Sequence, residues 1–320
     1  MYSKTKAICL ILIIFLTVVF TIGCNKAPEI TESKEKNNVS ESYFPLTLTD
    51  QIGREVTIET QPERIISLSP ANTEILYALG LEDKIVGVTD YCDYPEAVTT
   101  KEKIGGYEDP NIEKIISLKP DLIFSTGIYL KPVEELEKLG VPSVAIEPGD
   151  IDEMLDSIEL IGKATGRYEE ARAMVGDLRE RIKKIEDMVA YIPSDNRPKV
   201  LYELWHTPIF VAGPGTYVDD IIQRAGGENI AKDSGKEYPE YSQEMIVAKN
   251  PDIIVFSYHG TDGGETVESI MTRPGWDSIN AVKNKRVYYI DENLVQRATP
   301  RLIDGLEEFV KIIHPDLFKD

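Results

Sequence analysis

Residues 111–124 read NIEKIISLKPDLIF, and residues 242–255 read SQEMIVAKNPDIIV. In each stretch a helix-capping residue (Asn111, Ser242) stands two positions before a glutamate (Glu113, Glu244). Pro-Asp begins seven residues after each glutamate, and an apolar β-branched run follows. A helix–Pro-Asp–strand unit that occurs twice implies two similar lobes related by duplication. Taken singly, each glutamate is a first-turn acid that the helix dipole favours by ~0.3–1 kcal/mol. Taken as a pair, they place one carboxylate on the same face of each lobe. That arrangement suits paired arginines on a two-fold-symmetric partner.

The chain around these units alternates short apolar runs with amphipathic stretches. Strands are expected from Arg64, Lys84, Asp121 and Ser143, and again from Lys199, Asp252 and Arg286. Helices are expected over Thr73 to Leu79, Ile112 to Leu118 and Pro132 to Leu139. Continuous apolar strands alternating with helices predict an α/β fold with mostly parallel sheets covered on both faces. Between the two blocks, residues 150–188 are helical in pattern, with a break at Thr165-Gly166. From Tyr168 to Val189, apolar residues at 171, 175, 178, 182, 185 and 189 make one buried stripe. At 1.5 Å per residue this helix is roughly 33 Å long, a stiff rod joining the lobes that predicts small lobe motion.

The N-terminal residues carry a different message. Lys4 and Lys6 precede an apolar run from Ala7 to Ile22, then Gly23 and Cys24. The run is shorter than the ~20 residues a spanning helix needs, and it reads as an export signal cleaved before Cys24. Cys24 is then the lipidated N-terminus, with Thr21 where bacterial lipoproteins usually have Leu. A polar tether to residue 44 follows, too poor in apolar residues to fold. Its ~18-residue coil spans roughly 25 Å. The expected organisation is therefore signal 1–23, tether 24–44, first lobe 45–149, helical bridge 150–192 and second lobe 193–320. After cleavage Cys92 is the one remaining thiol, so no intramolecular disulfide supports the fold. It is expected to be a small buried hydrophobe.

Formal net charge is −20, and it becomes about −22 without the two lysines of the signal. Such a surface argues against nucleic acid and anionic lipid as partners. Three histidines (His206, His259, His314) lack the spacing of a transition-metal site. No Gly-x-Gly-x-x-Gly, Gly-x-Ser-x-Gly or His-Glu-x-x-His motif is present, and the chain is not expected to be an enzyme.

Ligands of open α/β sheets sit outside the carboxyl ends of the strands. In the first lobe the turn there is SPANTE (69–74), which contains Pro70 and Asn72. In the second, residues 209–211 lead into AGPGT (212–216). Both turns are expected to present backbone N–H groups to the space between the lobes. Tyr94, Tyr107, Trp205, Phe210 and Tyr238 lie on the predicted cleft loops, and Arg297 offers a fork of donors. The set favours a large, flat, partly apolar ligand.

The segments RIISLSPANTEILYALG (64–80), DYP (93–95), NIEKIISLKPDLI (111–123), GGENI (226–230) and RATPR (297–301) resemble the cobalamin and iron-siderophore binding proteins of bacterial ABC importers. The resemblance covers nearly all of residues 62–313. It implies two Rossmann-like lobes bridged by one helix, and docking of Glu113 and Glu244 on arginines of the permease dimer, with its ATPase as further partner. SPANTE and DYP are most similar to vitamin B12 binders. By that resemblance Tyr94, Tyr107, Phe210, Tyr238 and Arg297 line a corrin site. The chain departs from those binders in having Tyr107 and Tyr238 where they have Trp, and Asn293 where they have an acid. The expected solute is a corrinoid, with a ferric hydroxamate siderophore or haem as the alternatives. No cofactor is expected beyond the metal chelate carried as cargo.

Overall fold

The computed structural model describes residues 43–319 apart from 107–108, 128–129 and 259–264. The export signal, Cys24, all but the end of the tether, Tyr107 and His259 lie outside the described residues.

The chain begins with an antiparallel pair, β1 (Leu46–Thr49) and β2 (Glu55–Ile58). The first lobe follows as β3 (Ile65–Ser67), α1 (Pro70–Ala78), β4 (Ile85–Val88), α2 (Ile112–Ser117), β5 (Leu122–Ser125), α3 (Leu130–Lys138) and β6 (Ser143–Ala145). Two packed helices come next, α4 (Ile151–Thr165) and α5 (Tyr168–Val189). The second lobe contains β7 (Lys199–His206), β8 (Ile209–Val211), α6 (Tyr217–Arg224), β9 (Glu228–Asn229), α7 (Gln243–Lys249) and β10 (Ile253–Phe256). It ends with α8 (Val267–Met271), α9 (Asn280–Lys283), β11 (Val287–Tyr289) and α10 (Leu302–Ile313).

Among the described residues, the two lobe sheets repeat one plan. The first has the order β4-β3-β5-β6, parallel throughout. The second places β9, β7, β10 and β11 in the corresponding order, also parallel. The repeated Pro-Asp has the same task in both. Asp121 accepts hydrogen bonds from the Glu63 and Arg64 backbone N–H groups at 2.8 and 2.9 Å. Asp252 accepts from the Lys199 N–H at 3.0 Å. Each carboxylate thus pins the start of the strand next to its own. The residue before each proline, Lys119 or Asn250, has a left-handed φ of 48° or 47°, which turns the chain from helix to strand.

Strand β8 departs from the mostly parallel pattern of the lobe sheets. It pairs antiparallel with the end of β7, closing a hairpin through Thr207-Pro208. The turn after it is also less open than expected, because the Gly213 N–H donates to the Glu237 carbonyl at 2.6 Å. Thr216 Oγ1 takes the Asp219 N–H of α6.

The long helix α5 has 22 residues, and its predicted stripe is its buried face. Gly166 ends α4 at φ 73°, and its neighbour Arg167 donates its N–H to the Gly162 carbonyl at 2.7 Å. A Cβ on Gly162 would lie 2.4 Å from that of Ala171, so glycine is what lets the two helices pack this closely. One continuous apolar cluster includes Leu76 and Phe124 of the first lobe, the stripe of α5, and Tyr202 and Phe309 of the second. The two lobes therefore share a core through the helices between them.

Candidate solute cleft and lobe clasp

The carboxyl ends of the strands bring the second lobe's QRATPR segment against the SPANTE helix and the DYP loop of the first. The segment leaves β11 with a firm anchor, since Gln296 Nε2 donates at 3.0 Å to both the Tyr202 hydroxyl and Ser257 Oγ. Thr299 is buried, and its Oγ1 takes the Arg301 N–H. From this base two guanidinium groups reach across. Arg301 donates from Nε and Nη2 to the two oxygens of Glu74, at 2.9 and 2.7 Å. Its guanidinium also lies 3.8 Å over the Tyr94 ring. Arg297 donates from Nη1 and Nη2 to the Asp93 oxygens, at 2.6 and 3.3 Å, and from Nη1 to Glu74 at 3.3 Å. Arg297, expected as an open fork, is thus engaged across the lobes. Its hydrogen bond is the main reason that the Asp93 carboxyl sits below its ordinary value.

A second cluster occupies the ends of β7, β10 and β11. Trp205 stacks on His206 with ring centroids 5.0 Å apart and meets Tyr258 edge-on at 6.1 Å. Phe256 links Tyr258 to Tyr289, at 5.5 and 5.7 Å. Trp205 stands opposite Phe210 in the hairpin, and Phe210 bridges to Glu240, two residues past the exposed Tyr238. Beneath this ledge Tyr258 donates to buried Glu203 at 2.6 Å, and Arg273 grips the same carboxylate with two bonds of 2.7 Å. Burial is the chief cause that raises the Tyr258 pKa, with the Glu203 charge next.

The predicted residues therefore fall in two places: Tyr94 and Arg297 beside SPANTE, the first under Arg301 and the second on Asp93, and Trp205 and Phe210 in the hairpin, with Tyr238 on the loop that pairs with it. Pro70 opens α1. Asn72 is buried, and its Nδ2 donates to the Ser125 carbonyl, so in this structure the side chain ties α1 to β5. Sequence reasoning passed over Glu74, Asp93, Tyr258 and Tyr289. The available signal was position, since Glu74 and Asp93 belong to the segments 69–74 and 93–95, Tyr258 follows the apolar strand β10 and Tyr289 ends β11. Cys92 is buried as expected, 3.2 Å from the hydroxyls of Thr73 and Thr89. A cavity of ≈ 640 Å³ lined by Val56, Ile58, Pro120 and Val141 opens at the other end of the first sheet, away from the strand carboxyl ends.

Glu113 and Glu244 are exposed on the first turns of α2 and α7. Asn111 and Ser242 cap these helices as predicted, accepting from Lys114 N and Met245 N. Asn111 N donates to Ile104, which bonds Val88 at the end of β4. Tyr241 N donates to Ile209, which is opposite His206 at the end of β7. Both glutamates therefore start from the carboxyl-end rim of their own lobe.

Two like lobes, a shared helical rod and a residue-lined seam at the strand carboxyl ends define a solute-binding protein. The chain belongs to the periplasmic binding protein family, whose model matches residues 65–294. It is 36% identical over 313 residues to the ABC transporter substrate-binding lipoprotein YvrC of Bacillus subtilis (strain 168), covering 96% of this chain and 97% of that one. The periplasmic vitamin B12 binding protein BtuF of Vibrio cholerae superposes with TM-score 0.69 at 30% identity, over 81% of this chain and 99% of that one. A Staphylococcus epidermidis structure described as a possible iron-binding (periplasmic solute-binding) protein gives TM-score 0.70 at 34% identity, over 80% and 100%. Among the described residues, no helix is long and apolar enough to cross a membrane.

Proposed function

We infer that this chain is the solute-binding component of an ABC importer, exported and held at the outer face of the membrane through lipid on Cys24. Its cargo is a corrinoid, bound between lobes 45–149 and 193–320 on either side of the bridge 150–192, and passed to a permease dimer that meets Glu113 and Glu244. The observation that carries the cargo assignment is the pairing of an aromatic ledge at Trp205, Phe210 and Tyr238 with Tyr94 and an arginine pair. Flat apolar surface suits a macrocycle, and cationic forks suit acceptor groups at its edge. The likeness to YvrC supports the anchor and the transporter, and the likeness to the vitamin B12 binding protein supports the corrinoid. A second reading, a ferric hydroxamate or haem, is favoured by the iron-binding relative and by the same ledge.

Titration with cyanocobalamin, a ferric hydroxamate and haemin, followed by tryptophan fluorescence, separates the two. Trp205 is partly exposed, whereas Trp276 is fully buried under Arg273, so Trp205 is the reporter. Quenching by cyanocobalamin that Trp205→Phe removes is expected. Saturable quenching by haemin or the hydroxamate alone would replace the corrinoid with the iron chelate.

A further inference from the structure

The four charged groups of the lobe clasp are not held equally. Glu74 is 3% exposed and receives the Nε/Nη2 edge of Arg301, which Tyr94 also covers. This pair is interior, and separating it would leave a buried charge alone. The terminal fork of Arg297 points mainly at Asp93, whose side chain is 59% exposed, and only its Nη1 also reaches Glu74, at 3.3 Å. One buried carboxylate offsets one of the two arginines, and the second is offset mainly by an acid in contact with water. The Asp93 carboxylate also interacts with its own residue's backbone N–H, but the loop has anchors besides that one. Cys92 is buried beside Asp93, and Lys103 Nζ donates to the carbonyls of Thr89 and Cys92 at 3.2 and 2.8 Å. The Asp93 side chain can therefore rotate away while its loop stays in place. Exposed ion pairs of this kind contribute ~0–1 kcal/mol, so an incoming anion competes readily.

We propose that Asp93 is a displaceable stand-in for an anionic oxygen group of the solute. The cargo presents a phosphate or carboxylate at its edge, takes the Arg297 fork from Asp93, and leaves the Glu74–Arg301 tie intact. Glu74 is then a positioning residue and Asp93 sets specificity. This rests on the cleft reading above and narrows the cargo to chelates that bear such a group. It also gives the site a way to stay charge-balanced when empty.

Calorimetric titration of wild type and Asp93→Asn tests it, with three probes. Cyanocobalamin carries a phosphodiester, dicyanocobinamide has the same ring without it, and haemin carries carboxylates. Asp93→Asn is expected to bind the anionic probe about fivefold more tightly, the factor that losing a competing exposed ion pair gives. Dicyanocobinamide affinity is expected to stay within about twofold. A gain with cyanocobalamin identifies phosphate, and a gain with haemin identifies carboxylate. An equal gain with dicyanocobinamide, no gain, or weaker binding of the anionic probe overturns the proposal. If wild type binds none of the three, the cargo reading fails and the clasp is judged without cargo. Arginine Nε–Hε NMR signals of ligand-free Asp93→Asn are then followed as inorganic phosphate is added. Movement of the Arg297 signal with Arg301 unmoved supports the unequal clasp; movement of both, or of neither, overturns it.

Discussion

Arg301 of the second lobe and Glu74 of the first form a two-bond ion pair, Nε to Oε2 at 2.9 Å and Nη2 to Oε1 at 2.7 Å. The residues are 227 positions apart in the chain, and the carboxylate is almost wholly buried. Such a pair holds the lobes in register more than it adds net stability, because bringing both charges out of water offsets much of their attraction. Removing one partner is a different matter. Glu74→Gln leaves two arginines short of their interior counter-charge. It is expected to destabilise the protein by about 2–4 kcal/mol, toward the lower end because both arginines are partly exposed. Urea unfolding provides the measurement, and a loss under about 0.5 kcal/mol would show that the clasp is dispensable to the fold.

Glu113 and Glu244 make the opposite prediction. Both are exposed, so Glu113→Ala with Glu244→Ala should change stability by less than about 1 kcal/mol and leave solute affinity unaltered. Transport into vesicles carrying the cognate permease should be abolished. Weakened solute binding in the double variant would contradict a docking role.

The duplicated aspartates should cost comparable amounts when truncated. Asp121→Ala and Asp252→Ala each strip a charged acceptor from backbone N–H groups at a strand start. The expected loss is about 1–3 kcal/mol apiece. Asp252 also accepts from Asn280 Nδ2 at 3.0 Å, so each carboxylate holds two hydrogen bonds and the two losses should be similar. A stable Asp121→Ala would mean that water replaces the carboxylate without penalty.

Acid sensitivity has a named source in His314. Burial lowers its pKa from the ordinary 6.5, and Arg286 and Arg197 act in the same direction. Its Nε2 lies 3.2 Å from the Gly226 carbonyl. A histidine that is less basic when folded favours the folded state fully above the unfolded value. That contribution is lost as pH falls from about 6.5 through the folded pKa. Stability should therefore begin to decline below pH 6.5, and His314→Gln should flatten that part of the profile. Asp93 acts separately and lower, because its carboxyl is held beneath its ordinary 3.8. Unchanged pH dependence in His314→Gln would assign the decline to other groups.

The sequence alone determined what short-range rules control. The α5 stripe follows from a period of 3.6, the caps at Asn111 and Ser242 from side chains that reach three residues on, and the two-lobe plan from a repeated string. Each of these needs no knowledge of what lies far along the chain. The direction of β8 was not legible, because residues 209–211 are apolar whichever way the strand runs. Nor was the commitment of Arg297 to Asp93, or the burial of Asn72 against Ser125. An arginine's partner is decided by which carboxylates the folded lobes bring within 3–4 Å, across more than 200 positions here. Tertiary structure alone decides that, since ion pairs and buried amides depend on proximity and exclusion of water, and neither is written in local periodicity.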